Sequence, residues 1–310
     1  PGSKFNRHGG SILNRRQQGR SLSASRPTAC GRCSTRRVDA MSELIMRRTR
    51  GVGFALFLIA VSAFPISASV LNDCKKPLYL TFDTGHMEVA PLIADVLRRQ
   101  QVQVTFFAAH EPTKQGDGSL GEHWSQWWRA RGGEGHAFAS HTWDHVYWRA
   151  DLGGVQAPAF RVRPSAGTRQ GQEFTMAATE YCEQLGHASA RLQILTGQKP
   201  LPLFRAPGGK TSPQLLASAK ACGFTHVGWA PAGFLGDELS SDKFSNAALL
   251  RNALQGIRTG DILMAHLGIW SRKDVWAPAV LEPLIVGLKD RGFCFRTLRE
   301  HPDYRPLQAR

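Results

Sequence analysis

Side chains able to move protons or hold a metal recur in this chain at the ends of short apolar runs. Asp83 follows Leu80-Thr81-Phe82 and precedes Thr84, Gly85 and His86. His141 and His145 stand four residues apart, a spacing that in a helical turn places both imidazoles on one face, as a divalent cation requires. Arg205 leads Ala-Pro-Gly208-Gly209, Trp229 closes another apolar run, and Met264-Ala265-His266 closes a further one. Each residue has a plainer reading. Asp83 can be a helix N-cap, the histidines one capping and one surface residue, and Arg205 a surface charge. Their joint placement after apolar runs argues for a common site of catalytic residue types, in which the histidine pair could hold a metal.

The elements that must position them alternate between strand and helix. Residues 77–82, 102–108, 136–140, 201–205, 225–229, 261–266 and 293–298 read as strands. Residues 89–99, 173–195, 212–221, 244–257 and 277–289 read as helices, and 150–170, rich in Gly, Pro and Arg, as a long surface loop. Strands alternating with helices imply an α/β fold with a parallel sheet, open or closed into a barrel, whose chemistry gathers at the carboxyl ends of the strands.

In order and spacing these residues resemble the NodB-homology polysaccharide deacetylases, carbohydrate esterase family 4. The resemblance spans about residues 76–299. Thr81-Phe82-Asp83-Thr84-Gly85 is similar to the family's T-F-D-D-G, and His141-Thr142-Trp143-Asp144-His145 matches H-[ST]-x-x-H, preceded by a family-like Glu134-Gly135-His136. Arg205-Ala206-Pro207-Gly208-Gly209 matches R-x-P-x-G, and Met264-Ala265-His266 resembles the last motif. The resemblance implies a single distorted (β/α) barrel and metal-dependent removal of N- or O-acetyl groups from a polysaccharide such as peptidoglycan or another N-acetylhexosamine polymer. It implies Asp83 as general base, His266 as general acid, and Arg205 as the partner that keeps Asp83 ionised. His141 and His145 would hold the metal, most often zinc. Trp229 and Met264 would wall the acetyl pocket, and the backbone N–H of Gly208 would face the oxyanion.

Two departures stand out. Thr84 occupies the position of the family's metal-binding Asp, and a hydroxyl is a far poorer ligand for a divalent cation. The sequence leaves three outcomes: binding through two histidines and water, substitution by a neighbour such as His86, or a glycan-binding protein, weakened or inactive, on a deacetylase scaffold. The acid usually found beside Trp229 is also not visible.

Composition excludes other classes. The formal charge is +15, but residues 1–50 carry 12 basic and 2 acidic residues and residues 71–310 carry 27 and 22. The excess lies in an N-terminal arm, and the remainder lacks a basic patch interleaved with aromatics, so nucleic acid is not an expected partner. Arg47-Arg48-Thr49-Arg50, the apolar run 52–64 and the small residues 67–69 follow the order of a signal peptide. The expected organisation is a disordered or non-native extension over 1–45, a signal peptide over 46–69 and the deacetylase domain over 70–310. Export to the periplasm or outside follows, with no stable membrane span after processing. Cys74, Cys182, Cys222 and Cys294 would then meet an oxidising compartment, with their pairing open. The tryptophans at 124, 127, 128, 143 and 148, with Tyr147, could stack on sugar rings or fill the core.

Overall fold

The computed structural model describes residues 74–309 apart from residue 155. The expected extension over 1–45 and signal peptide over 46–69 lie outside the described residues.

Strand β1 (Pro77–Asp83) is buried along six of its seven residues, so both of its faces are covered. That is the environment of a central strand in a parallel sheet. It pairs in parallel with β2 (Thr105–Ala108) and β9 (Ile262–His266), in a register that sets Asp83 beside Phe107 and His266. From β2 the sheet continues through β3 (Ala137–Ser140), β7 (Leu203–Phe204) and β8 (Thr225–His226), all parallel, and β10 (Cys294–Phe295) pairs with the start of β1. Past Trp229 the chain returns to β9, where Phe234 bridges Met264 and the Leu235 N–H donates to the Met264 carbonyl at 3.1 Å. The sheet thus curls toward itself as a distorted barrel. Among the described residues no ladder joins β8 to residues 234–235, so its closure is incomplete.

Helices α1 (Ala90–Arg99), α2 (Ser125–Gly133), α3 (Ala178–Thr196), α4 (Pro213–Ala221), α5 (Asn246–Gly256) and α6 (Leu281–Asp290) cover the sheet. Their starts follow local chemistry. The Ser212 hydroxyl accepts the Leu215 N–H at the head of α4, and Ser245 accepts the Ala248 N–H at the head of α5. In α1, Ile93, Val96 and Leu97 meet Leu78, Leu80 and Phe82 in the main hydrophobic core.

Residues 150–170 are not the long loop expected. β4 (Val146–Leu152), β5 (Ala159–Pro164) and β6 (Phe174–Ala177) form a separate antiparallel sheet. The period-two signal is present in β5, where Phe160 and Val162 are buried between exposed Arg161 and Arg163. Its brevity and its arginines hide it among turn residues. Because residues 174–177 pair with β5, the following helix starts at Ala178 rather than near 173. Trp124 and Trp128 are core residues, and Trp127 packs against the same cluster. Trp143 stacks between His187, at 3.8 Å, and His110, at 4.5 Å. The four cysteines pair as Cys74–Cys294 and Cys182–Cys222. Among the described residues no helix is long and apolar enough to cross a membrane.

Candidate active site

The carboxyl ends of β1, β3 and β9 open into one cavity of about 630 Å³, lined among others by Asp83, His141, His145, Trp229, Met264 and His266. Asp83, Thr84, His141, His145, Gly208, Trp229, Met264 and His266 therefore meet at one place, Arg205 joins them through Asp83, and His86 is not in the lining.

Asp83, at the end of β1, is 3% exposed. Its Oδ1 accepts a 2.6 Å hydrogen bond from Nη1 of the fully buried Arg205. The same guanidinium donates to Thr81 Oγ1 at 2.9 Å and to the carbonyls of Val227 at 3.2 Å and Gly228 at 3.3 Å. Burial pushes the Asp83 carboxyl up, but Arg205, His141 and His266 outweigh it and hold its pKa below the ordinary carboxylate value. Asp83 is therefore an ionised base with one oxygen tied down and the other, Oδ2, 3.6 Å from His141 Nε2.

His141 and His145 come together without a helix. Thr142 and His145 both have left-handed backbone, with φ of 63° and 50°, so a kinked turn performs the task assigned to helical spacing. His141 Nδ1 donates to the Arg205 carbonyl at 2.8 Å, which leaves Nε2 as the free acceptor. Burial, against the opposing pull of Asp83, drives the His141 pKa down to about 4, so the ring is neutral at pH 7. His145 Nδ1 lies 2.5 Å from Ser165 Oγ and 3.6 Å from Glu111 Oε1. The two Nε2 atoms face each other at 3.2 Å. Two tetrahedral bonds of 2.0–2.1 Å to one ion span about 3.3 Å between donor nitrogens. A neutral His141 ring, outer nitrogens engaged by oxygens and this separation fit a divalent cation held by His141 and His145.

Thr84 cannot readily be a third donor, because its hydroxyl accepts the Ala109 N–H at 3.0 Å and donates to Glu111 Oε2 at 2.6 Å. His86 lies apart from the pair, edge-on to Trp270 at 5.1 Å, with Nδ1 accepting the Glu88 N–H at 3.2 Å. Among the described residues no three His, Cys, Asp or Glu side chains already converge on one metal position.

His266 ends β9, and its Nδ1 lies 3.1 Å from Asp237 Oδ1, while its backbone N–H donates to Asp237 Oδ2 at 2.7 Å. Asp237 is the acid that the sequence did not reveal. It lies eight residues beyond Trp229, after the loop that returns to β9, and only the fold connects it to His266. Burial alone would lower the His266 pKa, but Asp237, then Asp83 and Glu238, reverse this and raise it to about 9. The imidazole is thus held protonated at neutral pH, as a general acid must be. Gly208 and Gly209 share φ of 68°, and a Cβ would stand 2.8 Å from the Tyr147 ring at Gly208 and 2.6 Å from Trp229 at Gly209. The chain can turn there only as glycine. His136 lies outside the cavity, where its Nδ1 accepts the Val104 N–H at 3.1 Å and Nε2 faces Glu134.

The polysaccharide deacetylase family profile matches residues 71–227, half of the chain. The chain belongs to the polysaccharide deacetylase family. A chitooligosaccharide deacetylase of Azorhizobium caulinodans is 25% identical over 241 residues, covering 74% of this chain and 97% of that protein. An acetyl xylan esterase of family 4 from Clostridium thermocellum, solved with a cobalt ion, superposes with a TM-score of 0.54 at 22% identity, over 73% of this chain and 89% of that one. A mutant of a family 4 pseudoenzyme with restored activity superposes with a TM-score of 0.53 at 18% identity, over 73% and 67%. These likenesses establish the distorted (β/α) barrel of the family, and membership makes the chain a carbohydrate deacetylase, a hydrolase, by class. Deacetylases of this family are generally metal-dependent.

The His266–Asp237 pair carries a prediction. If His266 delivers a proton, deacetylation should fall as pH rises through about 9. In Asp237→Asn the carboxylate that raises the pKa is gone while burial remains, so the alkaline limb should move toward 6.5 or lower. Because the folded pKa lies above the unfolded one, the pair's contribution to stability is complete below pH 6.5 and is lost as pH rises through about 9. Rate–pH profiles of the two proteins check this, and an alkaline limb that does not move would remove Asp237 from the role.

Proposed function

We propose that this protein is an exported enzyme that removes N-acetyl, or O-acetyl, groups from an acetylated polysaccharide such as peptidoglycan or another N-acetylhexosamine polymer, using a divalent metal, most favourably zinc. One observation carries the reading: a base held ionised, Asp83 on Arg205, and an acid held protonated, His266 on Asp237, stand on paired strands at the mouth of a single cavity. A glycan-binding surface has no need of such opposed pKa shifts.

A cation held by His141 and His145 would acidify the attacking water and polarise the acetyl carbonyl. Asp83 Oδ2 takes the proton of that water as its oxygen attacks the carbonyl carbon. The charge gathering on the carbonyl oxygen is met by the Gly208 N–H, a kind of donation worth about 3 kcal/mol in comparable sites. His266 Nε2 then protonates the departing amine nitrogen, or alcohol oxygen, as its bond to the acetyl carbon breaks. Arg205 keeps Asp83 charged between turnovers, and Trp229 and Met264 enclose the acetyl methyl. The two disulfides support export through a signal at 46–69, since such bonds persist in oxidising compartments. N-terminal sequencing of the exported chain should begin near Val70.

Thr84 favours a second reading, glycan binding without turnover. Acetate release from peptidoglycan, N-acetylglucosamine oligomers and acetylated xylan separates the two. Release from at least one supports the enzyme, and retention of glycan with no acetate from any supports the binding protein.

A further inference from the structure

We propose that Glu111 supplies the anionic oxygen donor of the metal site, in the place left by the neutral side chain of Thr84. The inference rests on the deacetylase reading only in taking the cavity to bind a divalent cation.

Glu111 follows β2 at the wall of the cavity that holds the histidine pair. Its backbone is pinned, with its N–H on Ser119 Oγ and its carbonyl accepting the Ser119 N–H, both at 2.9 Å. Its carboxylate is partly buried, and His145 is the sole ion-pair partner found for it among the described residues. The Nε2 of that histidine faces His141 Nε2 at 3.2 Å, and no lysine or arginine approaches the carboxylate within 4 Å among the described residues. A carboxylate at the cavity wall with no lysine or arginine beside it is a hard oxygen donor open to a divalent ion.

Thr84 gives the arrangement its logic. Its Oγ1 donates to Glu111 Oε2 at 2.6 Å, so the residue at the family's ligand position holds a carboxylate that reaches in from the neighbouring strand. The charge absent from the β1 loop is supplied from the β2 loop to the same wall. Oε1, free of the Thr84 bond, lies 3.6 Å from Nδ1 of His145, beside the ring whose Nε2 faces His141. In the structure the three side chains do not yet converge, and a side-chain rotation that carries Oε1 from the Nδ1 to the Nε2 side of His145 would complete two imidazoles and one carboxylate, the three-protein-ligand set of catalytic zinc sites. Thr84 is then a positioning residue and not a ligand.

Calorimetric titration of the purified, chelator-stripped full chain with zinc alone, together with the visible spectrum of the cobalt-loaded protein, tests this in the parent, Glu111→Gln, Glu111→Asp, Thr84→Asp and the double variant Thr84→Asp/Glu111→Gln. The parent should bind one ion. Glu111→Gln should weaken binding by about 100-fold or more and change the cobalt spectrum, with metal-free thermal unfolding unchanged. Glu111→Asp, with the charge kept and the reach shortened, should fall between. The double variant should regain affinity, because its new carboxylate stands directly after β1. Parental affinity and an unaltered cobalt spectrum in Glu111→Gln would overturn the assignment, as would binding by Thr84→Asp when the parent binds nothing. Acetate release is scored separately. Metal loss in Glu111→Gln with no deacetylation by the parent leaves the ligand assignment standing and removes the enzymatic reading. Deacetylation by the parent with full metal binding in Glu111→Gln does the reverse.

Discussion

Asp83→Asn and His266→Ala are each expected to lower the rate of acetate release by about 10²–10⁴-fold, the range of a positioned acid or base. The two residues are register partners on β1 and β9, so they flank the cavity from adjacent strands and act on the same scissile bond. Asparagine keeps the shape of Asp83 but cannot take a proton, and alanine removes the sole proton donor attributed to His266. The loss should fall on kcat, with KM little changed, because neither side chain is assigned to holding the sugar. Steady-state rates with a deacetylation substrate, alongside thermal unfolding to show that the fold survives, check the result. Parental turnover by either variant would mean that its role is misassigned.

Arg205→Met should cost both activity and stability. The guanidinium makes its four hydrogen bonds in full burial, and it is the leading group that holds Asp83 below its ordinary pKa. Removing it leaves a carboxylate in a buried site without its cation, a change that costs about 3–5 kcal/mol. The sign with pH follows from Asp83. Its folded pKa lies below the unfolded one, so the pair's stabilisation is present above about pH 4 and lost as pH falls through the folded value. In Arg205→Met burial dominates, the Asp83 pKa rises, and the acid limb of the rate–pH profile should move toward neutrality. Arg205→Lys should not restore the parent, since one ammonium cannot reach the carboxylate, Thr81 and both carbonyls together. Urea unfolding at pH 7 and rate–pH profiles measure the two effects. Full stability in Arg205→Met would deny the pair its structural part.

Much of this site is legible in the sequence because parallel α/β folds place chemistry at strand ends, and an apolar run followed by Asp83, His141 or His266 marks such an end. What escapes is whatever depends on contacts between distant loops. Asp237 is an ordinary loop acid until the chain from 230 to 235 pairs with β9 and sets it on His266. Glu111 also follows a strand, yet its meaning depends on Thr84, 27 residues earlier, whose hydroxyl it meets. The spacing of His141 and His145 announces a shared ligand but misstates its backbone, since positive φ at Thr142 and His145 makes a turn where a helix was the simpler expectation. The antiparallel sheet of β4, β5 and β6 escapes because the exposed alternate residues of β5 are arginines and the β4–β5 connection holds Gly and Pro, so half-buried strands read as loop.

The most direct test of the account is acetate released from an N-acetylglucosamine oligomer, followed by mass spectrometry of the glycan, using protein stripped by a chelator and then reloaded with zinc. The account predicts no release by the stripped protein, recovery on reloading, and a mass loss of one acetyl group at a time from the intact polymer backbone. Zinc-saturated protein that releases no acetate from this or any other acetylated glycan, or stripped protein that works as fast as the reloaded one, would contradict it.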